Sequence, residues 1–294
     1  LRKFKKINKP EYYESAFLQQ IDYFDYEFFN ISPSEANNMD PNQRIFLQVA
    51  WKALEDANIQ PTSLSNTNTG VFLGFTGAKN SSYFDMIKDI SPDSLAVNLP
   101  GNTPAIIASR ISYLLDLKGP SITIDTTCSS SLVALHYACN AIRQKDCDVA
   151  IIGGININIL PVKSDHKMGI ESSTGRTKSF DENSDGTGGG EGAAAIVVKP
   201  LKKAIADQDF IYSIIKGSAV NHDGKSIGLT APNPNAQEQV ILKAWENSDI
   251  DPTTITYVES HGTGTKLGDP IEIQALSQAF KRYTDQKQFC AIGA

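Results

Sequence analysis

Cysteine is scarce in this chain. Four residues in 294, Cys128, Cys139, Cys147 and Cys290, show no Cys-x-x-Cys pair and no paired spacing. That excludes a disulfide framework and a thiolate zinc site as the basis of the fold. Free thiols of this kind fit a reducing compartment, so a cytoplasmic location is expected. Long apolar runs are missing too, and no stretch is suited to crossing a bilayer. The basic start, Arg2-Lys3-Phe4-Lys5-Lys6, lacks the apolar run that would make it a signal peptide. There is no excess of positive charge. At a formal net charge of −6 nothing points to a nucleic-acid partner. Low-complexity segments and short tandem repeats are also absent. What remains, 40% hydrophobic and 20% charged residues, suits one sizeable globular domain or two tightly packed halves.

Phosphate-binding glycine patterns fail on inspection. The glycines from Gly186 to Gly192 place Glu191 or Ala193 where a dinucleotide fingerprint needs its last glycine, and a strand follows. Asp223-Gly224-Lys225-Ser226 resembles the end of a P-loop, but Ala219 stands where that motif needs its first glycine. Gly224-Lys225-Ser226-Ile227-Gly228 has the letters of a serine nucleophile elbow without the strand before it or the helix after it.

Apolar β-branched runs alternate with helical patterns, the signature of an α/β fold. Strands are predicted at Val71–Phe75, Ser121–Ile124, Val149–Ile157, Ala193–Val198, Ile211–Ala219, Thr254–Glu259 and Phe289–Ile292. Helices are predicted at Pro41–Ala57, Pro104–Leu115, Cys128–Arg143, Ala236–Asn247 and Pro270–Phe280. Two helix starts share a grammar, Asp40-Pro41-Asn42-Gln43 and Asp269-Pro270-Ile271-Glu272. Each sets Asp as N-cap, Pro at the first helical position and Gln or Glu at the third, a variant of the capping box. The second also pins the end of the loop before it. The stretch from about Glu171 to Gly192 reads as a linker or a functional loop.

Two runs carry the chemistry. In Ile124-Asp125-Thr126-Thr127-Cys128-Ser129-Ser130-Ser131-Leu132, a strand read as buried gives way to a helix, which places Cys128 near a helix N-terminus. Unpaired N–H groups and the helix dipole there favour a thiolate, and the same N–H groups suit an oxyanion. Taken alone, a small buried cysteine would be the simpler reading. In Glu259-Ser260-His261-Gly262-Thr263-Gly264-Thr265, a histidine ends a strand and enters an open loop. The glycines there allow close approach of a ligand, and two hydroxyls stand ready to bond it. His136 lies on the helix of Cys128 but about 12 Å along the axis, too far to be its base. It reads as a satisfied core histidine. His166 and His222 sit in loops and are read as non-catalytic, and Cys139, Cys147 and Cys290 as core residues.

With both runs in view, the chain resembles the β-ketoacyl synthase family, in particular the ketosynthase domains of modular polyketide synthases. Further segments match in order: Phe24-Asp25 through Phe28-Phe29-Asn30-Ile31-Ser32-Pro33-Ser34-Glu35-Ala36, Met39-Asp40-Pro41-Asn42-Gln43-Arg44, Gly70-Val71-Phe72-Leu73-Gly74 and Ala108-Ser109-Arg110-Ile111-Ser112-Tyr113. They continue through Phe180-Asp181, Gly190-Glu191-Gly192, Val220-Asn221-His222-Asp223-Gly224 and Leu229-Thr230-Ala231-Pro232-Asn233. Glu171-Ser172-Ser173 with Ser184-Asp185-Gly186-Thr187-Gly188 is similar to bacterial synthases that mix polyketide and peptide modules.

The resemblance implies an α/β, thiolase-like layered αβαβα fold with two pseudo-equivalent halves, 1–199 with the nucleophile and 200–294. It implies a decarboxylative Claisen condensation. Cys128 would take an acyl chain from the phosphopantetheine arm of a partner acyl carrier protein, and a malonyl-type thioester would supply the enolate. His261 would polarise the malonyl thioester carbonyl, and Thr263 and Thr265 would bind the pantetheine amides. No metal and no covalently bound cofactor is called for. A homodimer is implied, with the segment from about Asn98 to Ser131, including Arg110, at its interface. The family's first strand, and its second catalytic histidine in a Lys-x-Asn-x-Gly-His run, do not occur in the chain. An internal fragment, truncated at both ends and unable to complete condensation alone, is therefore expected. The alternatives are a non-elongating, chain-passing ketosynthase, an inert fragment that only docks carrier proteins or dimerises, and a cysteine hydrolase.

Overall fold

The computed structural model describes residues 14–77, 82–90, 95–159 and 169–294. They form two compact units, one from the described residues of 17–160 and 191–214, the other from those of 14–16, 169–190 and 215–294. His166 lies outside the described residues.

The first unit is built on a four-stranded sheet in the order β2 (Ser121–Ile124), β1 (Thr69–Gly74), β3 (Val149–Asn156), β4 (Gly192–Val198). β1 runs parallel to both neighbours, with Val71 opposite Ser121 and Ile151. β4 returns antiparallel, with Ile196 opposite Ile152. A central parallel strand is covered on both faces, which is why Gly70-Val71-Phe72-Leu73-Gly74 reads as an unbroken apolar run. All six residues of β1 are buried. Its alternation divides the core. Val71 and Leu73 pack with Phe46, Leu47, Ala50, Ile107 and Ile111, from the helices α2 (Pro41–Asp56) and α5 (Pro104–Leu114). Phe72 packs with Ala134, Ala138 and Ala141, from α6 (Ser130–Gln144). The unit is thus a helix–sheet–helix sandwich.

Ser121–Ile124 is a strand as predicted, but a half-exposed edge strand and not a buried one; Ile122 keeps 42% of its surface. β-branched content signals a strand, not its place in the sheet. Further helices are α1 (Pro33–Asn38), α3 (Ser82–Ile90), α4 (Leu95–Asn102) and α7 (Leu201–Ala206). Asp40 caps α2 as the sequence indicated, its Oδ1 accepting from Asn42 N at 2.7 Å. Gln43 does not close a capping box. It donates to Pro100 O and accepts from Arg110 Nε at 2.6 Å, while Arg110 also pairs with Glu35 at 2.7 Å.

In the second unit, β5 (Tyr257–Glu259) pairs parallel with β6 (Ala291–Gly293), with Val258 opposite Ile292. α8 (Pro234–Ser248) packs on α9 (Gly268–Lys281) through Trp245 and Phe280, ring centroids 4.7 Å apart. The strand predicted over Ile211–Ala219 is not formed. The segment is β-branched, but no strand of either sheet pairs with it, and Tyr212 and Ile214 are exposed. An extended backbone without a neighbour has no ladder. Among the described residues no helix is long and apolar enough to cross a membrane.

Candidate active site

β1 and β2 end side by side, with Gly74 opposite Ile124. Beyond Ile124 the chain turns sharply before α6. Thr127 takes φ +57°, a left-handed conformation that costs a β-branched residue about 1–2 kcal/mol. A single 3-10 turn, Thr127–Ser129, then carries Cys128 into the helix. The turn is braced from three sides. Asp125 Oδ1 accepts from Thr127 N at 3.0 Å and from Thr76 Oγ1 at 3.2 Å. Ser130 Oγ accepts from Thr126 N at 2.9 Å and donates to Thr127 O at 2.7 Å. Ser129 Oγ donates to Thr126 O at 2.9 Å. The Ser/Thr-rich spelling of this run is therefore the brace of a strained elbow. Of these bonds none uses the Cys128 N–H, and the residue is exposed while Cys139 and Cys147 are buried.

Two glycines set how closely the elbow approaches the sheet. A methyl on Gly74 would lie 2.4 Å from Ser131 N, and one on Gly154 2.9 Å from Ser131 Cβ. The start of α6 thus rests on bare backbone at the ends of β1 and β3, a contact that larger residues forbid.

His261 lies in the other unit, two residues beyond β5. Its loop is held by two acids of α9. Glu272 accepts from His261 N at 2.6 Å and from Gly262 N at 2.9 Å. These bonds use main chain and leave the imidazole exposed. Asp269 Oδ1 accepts from Gly264 N at 3.0 Å and from Thr263 Oγ1 at 3.3 Å, and its Oδ2 from Phe180 N at 2.8 Å. Asp269 is thus not the N-cap that the sequence suggested. The helix starts at Gly268, and the buried carboxylate points into the loop instead. Pinning of the loop by this segment is as expected; the bond pattern is not. Gly262 and Gly264 take φ of +49° and +66°. The structure brings His261, Thr263 and Thr265 together on this loop, with the Thr263 and Thr265 hydroxyls 2.9 Å apart and Gly268 N donating to Thr265 Oγ1 at 3.0 Å. The 171–190 loop joins them: Thr187 Oγ1 donates to Thr263 O at 2.6 Å, and Gly186 N to Gly264 O at 2.8 Å. Its glycines serve close backbone approach, since a methyl on Gly188 would lie 2.1 Å from Gly175 O.

Thr187 was missed as a loop support, and the bonds by which Asp269 and Glu272 hold the loop are not those of a helix start. The spelling Gly-Asp-Pro-Ile-Glu signals a helix start, and only the fold turns its acids backwards. His136 and Cys290, both read as core residues, are only half-buried. His136 bonds Asn140 at 3.0 Å, and partial burial lowers its pKa. His222 Nδ1 accepts from Gly224 N at 2.9 Å, and the Gly224–Gly228 segment has neither strand nor helix beside it. No cluster of three metal-ligating side chains occurs among the described residues.

Two family models cover nearly the whole chain: Beta-ketoacyl synthase, N-terminal domain, over residues 2–204, and Beta-ketoacyl synthase, C-terminal domain, over residues 212–294. Polyketide synthase PksL of Bacillus subtilis (strain 168) is 46% identical over 290 residues, which is 95% of this chain and 6% of PksL. A phenolphthiocerol/phthiocerol polyketide synthase of Mycobacterium tuberculosis is 48% identical over 282 residues, 95% of this chain and 15% of that protein. Among solved structures, the ketosynthase from module 6 of the bacillaene synthase of Bacillus subtilis 168 matches with a TM-score of 0.83 and 46% identity, covering 95% of this chain and 48% of that one. Ketosynthase twelve of the bacillaene polyketide synthase in Bacillus amyloliquefaciens matches with a TM-score of 0.88 and 39% identity, covering 95% and 49%. The chain therefore spans about half the length of these solved ketosynthases and a small share of the curated relatives.

Proposed function

The chain belongs to the β-ketoacyl synthase family and has its thiolase-like αβ fold, and on that premise we propose that it performs the decarboxylative Claisen condensation of a polyketide synthase. The observation that carries this reading is the exposed Cys128 on its braced strand-to-helix elbow. A thiolate is both a good nucleophile and a good leaving group, and the reaction needs both properties.

In the first half-reaction the Cys128 sulfur attacks the carbonyl of an acyl thioester on the phosphopantetheine arm of an acyl carrier protein. The bond to Cys128 forms, the bond to the pantetheine sulfur breaks, and the pantetheine thiol leaves with the proton. In the second, a malonyl-type thioester loses carbon dioxide, and the electron pair of the broken C–C bond becomes an enolate. The enolate carbon attacks the acyl-Cys128 carbonyl, and the thiolate is released. Both steps develop negative charge on oxygen and need preorganised donors. The Cys128 N–H serves the tetrahedral oxyanion, and the exposed His261 imidazole the enolate oxygen. Thr263 and Thr265 bind the pantetheine amides. The ordered His261 loop supports this, since a donor held by Glu272 and Asp269 needs no reorganisation during reaction.

The same reading assigns 1–199 and 200–294 as the two halves of the synthase, an acyl carrier protein as partner, and the cytoplasm as location. It also assigns a homodimer. Exposed Tyr113 and the exposed Ile122 on the edge strand β2 support an interface there. The test is condensation in the full-length enzyme, followed by release of carbon dioxide and formation of a β-ketoacyl thioester. Cys128→Ala is expected to abolish the product, and His261→Ala to reduce it by about a hundredfold or more. Undiminished product in Cys128→Ala would contradict the proposal.

A further inference from the structure

Asp125 is the only formally charged residue between Lys118 and Arg143, and it stands three residues ahead of Cys128. Asp125, Thr126, Thr127, Cys128 and Ser129 are all exposed, so carboxylate and thiol lie on one open stretch of the elbow. Asp125 Oδ1 is 3.0 Å from Thr127 N. Cys128 N is one residue further on, which keeps it within about 7 Å of that oxygen. The end of β1 that faces the turn, Phe75-Thr76-Gly77, carries no charge. Among the described residues no cation pairs with Asp125.

The brace needs an acceptor at this position, not a charge. One oxygen of Asp125 takes both bonds, from Thr127 N at 3.0 Å and from Thr76 Oγ1 at 3.2 Å. Asparagine or serine would also supply an oxygen to such a turn. The negative charge is therefore in excess of what the turn requires. Beside a site that develops an oxyanion, it is also unfavourable. The two half-reactions supply a use for it. They bring two thioesters to the same elbow, an acyl group that must pass to Cys128 and a malonyl-type group that must not. Both arrive on the same pantetheine arm, and a carboxylate tells them apart.

We propose that Asp125 is a specificity-determining residue of the first half-reaction. Its carboxylate repels acyl groups that carry a carboxylate close to the thioester, so Cys128 takes uncharged chains and the malonyl-type thioester is left for decarboxylation. The inference rests on Cys128 being the acyl acceptor, and it names the substrate class of that step. The bonds formed and broken are those of the acyl transfer already given; only the ease of attack differs between substrates. A carboxylate one or two carbons from the thioester carbonyl is held beside the elbow, on the scale of the ~10 Å over which exposed charges still act on one another. At the effective dielectric of a protein surface, that repulsion corresponds to about fivefold or more in rate.

The test measures Cys128 acylation by succinyl and succinamoyl thioesters of N-acetylcysteamine, alike in shape and different by one charge, with acetyl as a neutral reference. Wild type is expected to favour succinamoyl over succinyl by about fivefold or more in kcat/KM at low salt, and the preference should shrink as ionic strength rises. Asp125→Asn keeps an acceptor for Thr127 N and Thr76 Oγ1 and removes the charge. Asp125→Ser removes the charge and leaves a shorter acceptor for the turn. In both variants the succinamoyl-to-succinyl ratio should fall to about one. The ratio is read within each enzyme, so a change in the elbow that alters both rates together cancels. A wild-type ratio of about one would overturn the inference. So would a ratio that stays at its wild-type value in the variants while both rates drop, since Asp125 would then be a brace alone. If neither variant folds, the wild-type ratio and its salt dependence decide, and a preference indifferent to salt counts against repulsion. Absence of acetyl transfer to wild-type Cys128 would instead remove the acyl-acceptor reading, and the inference with it.

Discussion

Glu272 grips the main chain of His261 with one carboxylate oxygen, at 2.6 Å, and that of Gly262 with the other, at 2.9 Å. In a capping box this acid would turn back to its own helix. Here it spans eleven residues to fix the loop, and it sets the direction of the imidazole without touching it. Glu272→Ala removes two charge-assisted bonds, each worth about 1.5–3 kcal/mol when shielded and less at this half-buried site. We expect condensation to fall by about tenfold or more, and by more than Cys128 acylation, because acylation uses the loop's threonines for the pantetheine arm but not the imidazole. Single-turnover assays of the two half-reactions separate the effects, and an equal loss in both would count against a positioning role.

Gly74 supports the elbow by having no side chain. Gly74→Ala places a methyl 2.4 Å from Ser131 N, where backbone must move. Overpacking of this kind costs about 1–3 kcal/mol, with the displacement centred on the start of α6. Denaturant titration should show a lower midpoint and thiol titration an altered rate at Cys128. An unperturbed midpoint would mean that the helix is not seated as described.

Ser130 is 4% exposed, and its hydroxyl satisfies both Thr126 N and Thr127 O. Ser130→Ala leaves Thr126 N unpaired beside a left-handed Thr127, while Thr127 O keeps the Ser130 N–H, at a cost of about 1–3 kcal/mol. Ser130→Thr keeps the hydroxyl and should recover part of the loss. The paired measurement is the unfolding free energy of the two variants, and a neutral Ser130→Ala would remove the hydroxyl from the account of the elbow.

Cys147 reports on pH. Burial beneath α6 pushes its thiol up to about 11, with the Gly70 bond lowering it and Asp148 and Asp146 raising it. An unfolded thiol ionises near 8.5. Below that value both states hold the proton and the stabilisation is complete. Between about 8.5 and 11 only the folded state keeps it, so stability falls as pH rises. The Tm difference between wild type and Cys147→Ala should therefore shrink across that window. A constant difference would show that the thiol is not shielded.

Local chemistry was legible in the sequence where local forces decide. The strand–turn–helix around Cys128, the Asp40 cap and the apolar run of β1 all follow from neighbouring residues. Long-range bonds were not legible. Asp269 and Glu272 carry the letters of a helix start, and their partners, Phe180, His261 and Gly262, are chosen by folding. Ile211–Ala219 fails as a strand for the same reason in reverse: propensity is local, but a ladder needs a neighbour. The edge position of β2 likewise depends on what lies beside it in space.

The central claim is that Cys128 is the acyl acceptor, and peptide mass spectrometry tests it most directly. The chain is incubated with an acyl thioester, digested, and each cysteine peptide is weighed. The account predicts the acyl mass on the Cys128 peptide, with Cys139, Cys147 and Cys290 unmodified, and its loss in Cys128→Ala. Acyl label spread evenly over the four cysteines, or confined to any other, would contradict it.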